Sequence, residues 1–312
     1  MINNNLRPDI TIITPTYNRA SFLKRAISSV LNQTFTNFEM IIVDDCSKDN
    51  TEQVVRSIDD NRIRYIKLES NKGPAGARNV GINTAKGSYI SLLDSDDEYL
   101  PNKLALQINK IREMPEEVGV VYCGYLIVYE PDTIQGKVLP RYNGNLFDTL
   151  LKHNCIGSPT PLIKKECFDT CGLFDDSLPS YDDWDMWIRI SNKFKFDYVD
   201  EPLAKVYTHG NQTSTNLTST IKVRELLFQK YKLLILKNPE TASYLLQRLG
   251  FLYFLKNNTF MSLKYYLKSI KVNPSDVENY ISLLTSVISK KRHMNRMKGT
   301  SIREANNITV YF

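Results

Sequence analysis

With 312 residues, 42% of them hydrophobic and 24% charged, the chain can form one large domain with an appendage or two ordinary domains, and a disordered chain is excluded. Its five cysteines (Cys46, Cys123, Cys155, Cys167 and Cys171) are odd in number and scattered, which argues against a disulfide framework and fits a reducing compartment. The net charge of +6 comes without a recognised nucleic-acid motif, so nucleic acid is not an expected partner.

The polar stretch Met1–Arg7 lacks the apolar core of a signal peptide. The longest apolar run, Val118–Tyr129, is interrupted by Gly124 and falls short of the roughly 20 residues that span a bilayer. A cytoplasmic location is expected. In chain order, Ile10–Thr14 is a β-branched run closed by Pro15 and reads as a buried strand. Ser21–Asn32 places Phe22, Ala26, Ile27 and Val30 at helical spacing. Phe38–Val43 is a second strand ending at Asp44-Asp45, and a helix capped by Asn50 or Thr51 should run to Ile58. Ile63–Leu68 is a third strand, Gly73–Gly76 a loop, Ala77–Ala85 a helix, and Tyr89–Leu93 a fourth strand running into Asp94. Glu98–Ile111 reads as a helix, and Gly119 to His209 as less regular strands and loops.

From about Thr220 the chain reads as helical. Leu245–Pro274 looks like a single tetratricopeptide-type helical pair, expected to pack on the rest of the chain because one such unit cannot bury its own core. Near the C-terminus Lys290-Lys291-Arg292-His293, Arg296 and Lys298 form a basic cluster. It reads equally as a solvated helix end or as an attraction to an anionic membrane surface.

Alternating strands and helices predict a mostly parallel, doubly wound α/β sheet, whose ligand sits at the carboxyl ends of the strands. The polar clusters Thr16-Tyr17-Asn18, Asp44-Asp45 and Asp94–Asp97 fall at those ends. In Asp94-Ser95-Asp96-Asp97 the acids repel one another unless a cation sits among them. If the segment stays extended, Asp94 and Asp96 share a side, and oxygen ligands suit Mg2+ or Mn2+. The bland alternative is a cap for the following helix, a task that one of the acids, Asp97 for instance, would suffice to do.

Four segments in order, Thr14–Arg19, Val43–Ser47, Asn71–Asn79 and Leu93–Asp97, make the chain resemble family 2 glycosyltransferases of the GT-A fold over roughly residues 8 to 212. The resemblance implies a GT-A catalytic domain at 1–215 and a helical region at 216–312. It implies nucleotide-sugar contacts from Pro15, Tyr17, Asp45, Asn71, Arg78 and Asp94, with Tyr17 against the base and Asp45 on the uracil N3–H. Asp44 or Asp45 could instead only cap a helix, and Arg78 could only pair with an acid. It implies metal ligation by Asp96, with His209 open between ligand and structural residue.

Tyr181–Arg189 resembles the family's Glu-Asp-Trp-Asp segment with Asp182 in place of the commoner Glu, which leaves the role of Asp182 open. Asp183 matches the general base of an inverting transfer; its alternative is an acidic helix start. Trp184 and Trp187 read as core or acceptor-wall residues. The implied partners are a UDP-sugar donor and a glycan or lipid-linked acceptor for a cell-surface polysaccharide, with Mn2+ or Mg2+ as cofactor. Peripheral contact at the inner face of the plasma membrane and a homo-oligomer stay open. Competing readings are a nucleotidyltransferase and a helical interaction protein on a degenerate transferase domain. Phosphate loops of the Gly-x4-Gly-Lys-Ser/Thr kind are absent.

Overall fold

The computed structural model describes residues 7–129, 131–208, 217–289, 291–295 and 297. The chain divides into two compact units. One comprises Met1–Phe147, Cys155–Ser177 and Asp182–His209; the other comprises Asp148–Asn154, Leu178–Tyr181 and Gly210–Phe312.

The first unit opens with β1 (Ile10–Thr16), α1 (Ala20–Leu31), β2 (Phe38–Asp44), α2 (Thr51–Arg56), β3 (Ile63–Lys67), α3 (Gly73–Thr84) and β4 (Tyr89–Leu92). These strands lie in the order β3-β2-β1-β4, and all three pairings are parallel. Both β1 and β2 are buried along their whole length, as a parallel sheet covered on both faces requires. On α1 the inward stripe is Leu23, Ala26, Ile27 and Val30, packed with Ile10 and Ile12. On the other face α3 presses against β1: a Cβ at Gly81 would meet Ile13 Cγ2 at 2.5 Å. That approach needs glycine.

The sheet continues through β5 (Glu98–Tyr99), α4 (Lys103–Glu113), β6 (Val118–Tyr129), β7 (Thr133–Val138), β8 (Leu162–Lys164), α6 (Glu166–Cys171), α7 (Asp182–Ser191) and β9 (Lys195–Thr208), α5 (Phe147–Lys152) lying between β7 and β8 in the chain. Beyond β4 the order is β8-β6-β9-β5, with β7 paired to β6. Here the pairings are mixed: β4–β8, β8–β6, β9–β5 and β6–β7 are antiparallel and β6–β9 is parallel. The sheet is therefore parallel throughout its first half and mixed in its second.

Three expected elements differ. Glu98-Tyr99 is a strand rather than a helix start, because the residue before Pro101 is pushed out of the helical region; α4 begins only at Lys103. Next, α3 starts at Gly73, whose φ of 73° turns the chain into it, so Gly76 lies in the helix and not in a loop. The segment after Gly119 is more regular than its pattern suggests. Register shifts at Val118/Val120, Cys123/Gly124 and Gly124/Tyr125 break the two-residue alternation that betrays a strand.

The second unit holds α8 (Leu217–Lys230), α9 (Lys232–Ile235), α10 (Pro239–Leu255), α11 (Thr259–Val272) and α12 (Val277–Ile288). Side chains of Asn238, Asn258 and Asp276 cap α10, α11 and α12. Gly250 on α10 lets the Tyr266 ring of α11 approach, since a Cβ there would lie 2.9 Å from it. Tyr253 and Tyr265 stack at 5.5 Å and both donate to Glu225 of α8. His293 does not share the charge of the basic cluster. It is buried against Tyr266, Phe251 and Phe254, and burial pushes its pKa down to about 4. Lys290, Arg296 and Lys298 lie outside the described residues.

Candidate active site

The parallel registers bring the polar strand ends together. Thr16 faces Asp44 at the ends of β1 and β2, and Leu93 donates to the Ile13 carbonyl just past β4. Beyond β1 and β2 the chain takes left-handed φ values at two non-glycine residues, Asn18 (52°) and Cys46 (70°). Such conformations persist only where the surroundings hold them. Here Asn18 N–H donates to Ser47 Oγ at 2.9 Å, and Lys48 N–H donates to Asn18 Oδ1 at 2.8 Å. The two loops lock each other.

Pro15 is buried, whereas Tyr17 is 45% exposed and offers its ring to solvent. Asp44 is fully buried and accepts from Ser47 N–H and the Tyr65 hydroxyl. Asp45 Oδ1 accepts from Lys72 N–H at 2.6 Å, and Asn71 Nδ2 donates to the Asp45 carbonyl at 3.2 Å, so Asp45 and Asn71 are side by side. Neither Asp44 nor Asp45 caps α2. Asp49 does that, accepting from Thr51 N–H, while Asn50 at the cap position makes no capping side-chain bond.

After β4 the chain does not stay extended. Asp97 N–H donates to the Asp94 carbonyl at 3.1 Å and closes a turn over Asp94–Asp97. The turn still leaves Asp94 and Asp96 partly exposed and buries Ser95 and Asp97. Asp97 does not cap a helix; its carboxylate accepts from Tyr207 N–H on β9 at 3.1 Å. Burial, then the charges of Asp96 and Asp94, push the Asp97 carboxyl well above the usual carboxylate range.

Two residues that the sequence reading did not single out hold this turn. Arg25 of α1 donates to the Asp96 carbonyl at 2.9 Å, pairs with Glu98 at 3.2 Å and lies 3.6 Å above the Tyr207 ring. The Tyr207 hydroxyl donates to Glu98 at 2.6 Å. Behind the turn, the Tyr99 hydroxyl donates to the Leu92 carbonyl and contacts Ser91 Oγ. Lys103 Nζ donates to Ser91 Oγ at 3.1 Å and to Gln107 Oε1 at 2.8 Å, with its charge 4.0 Å from the Tyr99 ring. Lys103 is fully buried, and burial pushes its pKa down to about 8.

Arg78 of α3 joins the turn to the start of α7. Its Nη2 donates to Asp94 Oδ1 and its Nη1 to Asp182 Oδ2, both at 2.6 Å. Burial works against the guanidinium charge, but Asp182 and Asp94 outweigh it and raise its pKa. Asp182 thus has a definite task, as the buried counter-ion of Arg78. Asp183 beside it accepts from Trp184 N–H at 2.7 Å. Its carboxyl is pushed up to about 7 by burial and by Asp182, with Arg78 partly offsetting both. Trp184 and Trp187 are core residues, Trp187 edge-on to Phe174. Arg189, paired with Asp185 at 2.9 Å, donates to the carbonyls of Cys171 and Leu173 and so ties α7 to the loop before it.

Whether these residues suit a divalent cation can be judged from the donor set. Among the described residues no group of three acids, histidines or cysteines gathers as a closed metal site. Asp94 and Asp96 supply hard oxygens at a turn whose buried neighbour, Asp97, has its pKa raised by their charges. That donor set fits Mg2+ or Mn2+, which takes one or two carboxylates and completes its shell from phosphate oxygens and water. His209 lies outside the described residues.

The sequence profile described as glycosyl transferase family 2 matches residues 11–166. The chain belongs to this family. An uncharacterized glycosyltransferase of Rickettsia prowazekii is 33% identical over 94% of both chains. WfgD of Escherichia coli, named a UDP-Glc:alpha-D-GlcNAc-diphosphoundecaprenol beta-1,3-glucosyltransferase, is 30% identical over 64% of this chain and 89% of its own. Among solved structures, TarS 1–349 of S. aureus with UDP-GlcNAc superposes with a TM-score of 0.61 at 19% identity, covering 97% of this chain and 93% of TarS 1–349. The mannosyltransferase PcManGT of Pyrobaculum calidifontis, with GDP-Man and Mn2+, gives 0.61 at 17% identity, covering 98% and 88%. At those identities the structural likeness is one of fold. The protein is a family 2 glycosyltransferase with a GT-A fold.

Proposed function

We infer that this glycosyltransferase moves a hexose or N-acetylhexosamine from a UDP-sugar to a hydroxyl of a glycan or lipid-linked acceptor, with inversion, in cell-surface polysaccharide synthesis. The transfer is assigned to residues 1–215 and a helical appendage to 216–312. The observation that carries the mechanism is the Arg78 bridge. It ties Asp94 on the acid turn to Asp182, the neighbour of a carboxyl, Asp183, raised to about 7. A base works best when its pKa lies near the operating pH.

Asp183 takes the proton of the acceptor hydroxyl as that oxygen attacks the anomeric carbon. The new C–O bond forms on the face opposite the diphosphate. The old C–O bond to the diphosphate breaks on the other face, and its electron pair leaves with the nucleoside diphosphate. A single displacement of this kind inverts the centre. Tyr17 stacks on the base beside Pro15, and Asp45, braced by Asn71 and Lys72 N–H, accepts from the uracil N3–H. Each terminal nitrogen of Arg78 is engaged by one carboxylate, so its grip on a diphosphate oxygen would use a remaining N–H or displace one of the carboxylates. A divalent cation at Asp96, with His209, would offset the charge that develops on the leaving group.

The UDP assignment is supported by the donor named for WfgD and by the UDP-GlcNAc complex of TarS; the GDP-Man complex of PcManGT makes the base the point to test. Hydrolysis and transfer should be followed with UDP-, GDP-, dTDP- and CMP-sugars, with Mn2+ and after EDTA. Turnover is expected with a UDP-sugar, lost in EDTA and restored by Mn2+ or Mg2+. Turnover with a GDP-sugar instead would overturn the Asp45 assignment, and full activity in EDTA would remove the metal.

A further inference from the structure

In α12 the apolar side chains face outward. Val277, Leu284, Val287 and Ile288 are 65%, 57%, 65% and 72% exposed, on one stripe with Tyr280 and Ile281. The face turned toward α10 is polar: Asn279 and Ser282 are fully buried, Asn279 Nδ2 donates to Ser243 Oγ at 2.6 Å, and Gln247 Nε2 donates to Ser282 Oγ at 3.1 Å. Rotating α12 to hide the stripe would break these buried hydrogen bonds and leave their partners unsatisfied. The outward face is therefore fixed by the inner one. It is too large and too continuous to be scattered surface apolarity.

On the neighbouring α11, Phe260 (75% exposed) and Leu267 share a face with Lys264, Lys268 and Lys271, at offsets of one helical stripe. Lys291 and Arg292 follow α12 and are exposed. Against these five cations the two helices and their cap carry only Asp276 and Glu278. Two copies meeting on this face would oppose cation to cation. A protein interface of this kind would also draw on tryptophan, methionine and arginine at its centre, whereas this stripe is aliphatic apart from Tyr280 and carries none of the three. Aliphatic side chains bordered by lysine are the chemistry of a helix lying in a lipid interface.

We propose that the outer faces of α11 and α12 form a docking surface for an anionic lipid bilayer, with the α12 stripe entering the headgroup–acyl boundary and the flanking cations meeting lipid phosphates. This surface lies within the second unit and does not depend on the donor or base assignments. No helix among the described residues is long and apolar enough to cross a membrane, so the contact is peripheral.

The test is flotation of the full chain with vesicles of phosphatidylcholine alone or with about 30% phosphatidylglycerol, at low and high salt. Two double variants at exposed positions accompany the wild type, Leu284→Glu with Ile288→Glu and Lys268→Glu with Arg292→Glu, each checked by its melting curve and by sedimentation. Wild type should float with the anionic vesicles roughly tenfold better than with the neutral ones, and salt should weaken it. Both variants should lose at least about tenfold while melting as the wild type does. Failure of the wild type to float, or equal flotation of the apolar variant, would overturn the proposal. So would a wild-type dimer that the apolar variant converts to monomer, which would assign the stripe to a second copy.

Discussion

Arg78 and Asp182 stand 104 positions apart in the chain, yet their side chains meet at 2.6 Å with both groups buried. Asp94 takes the other terminal nitrogen of the same guanidinium. One arginine thus sets the distance between the turn assigned to the diphosphate and the helix start assigned to the base. The expectation that Arg78 meets phosphate and the alternative that it pairs with an acid share these two nitrogens.

Removing Arg78 should therefore act twice. Arg78→Met leaves Asp182 buried without its partner, and unfolding in urea should show a loss of about 3–5 kcal/mol. The variant also loses the cation that lowers the Asp183 pKa. Its acid limb in a kcat/KM profile should move to higher pH, which a purely structural lesion would not do.

For Asp183 the pH dependence has a definite sign. A base must be ionised, so kcat/KM should rise with pH through about 7 and level off above it. Asp183→Asn should lower kcat by about 10²–10⁴-fold and leave donor affinity nearly unchanged. Because the carboxyl rises from its ordinary 3.8 to about 7 on folding, the folded state holds the proton more tightly. Its contribution to stability is therefore lost as pH climbs between those values, and Asp183→Asn should remove that slope from a melting-temperature series. Undiminished turnover in the variant would exclude Asp183 as the base.

Lys103 makes the opposite prediction on the alkaline side. Burial lowers its pKa from 10.5 to about 8, so its penalty is fully present below 8 and relieved as pH rises toward 10.5. Wild type should gain stability across that window relative to Lys103→Met. At neutral pH the variant should lie within about 1–2 kcal/mol of wild type, since loss of a buried charge offsets the hydrogen bonds lost to Ser91 and Gln107. Parallel melting curves for the two proteins from pH 8 to 10.5 would refute the assignment.

Tyr17 is exposed, so Tyr17→Ala should leave the melting temperature within a degree or so while weakening UDP binding by about 0.5–1.5 kcal/mol, up to roughly tenfold in Kd. Calorimetry with UDP and Mn2+ checks this. Unchanged affinity would remove the stacking role.

The sequence alone determined the elements whose signals are local. Ile10–Thr14 is an unbroken β-branched run and Phe38–Val43 an apolar one interrupted only by Glu39, the stripe of α1 has the helical period, and acids directly after apolar strands marked the sheet's carboxyl edge. Four short segments in order sufficed for the family. Tertiary structure alone decided how the acids are used. Asp97 turns inward to Tyr207 N–H, Arg25 clamps the Asp96 carbonyl from 71 residues away, and Asp182 becomes the partner of Arg78. Nothing near these residues in the chain announces such contacts, because a charged side chain reads as solvated until folding supplies its buried partner. The outward stripe of α12 shows the same division. Its period is plain in the sequence, but only the buried hydrogen bonds of Asn279 and Ser282 decide which face looks out.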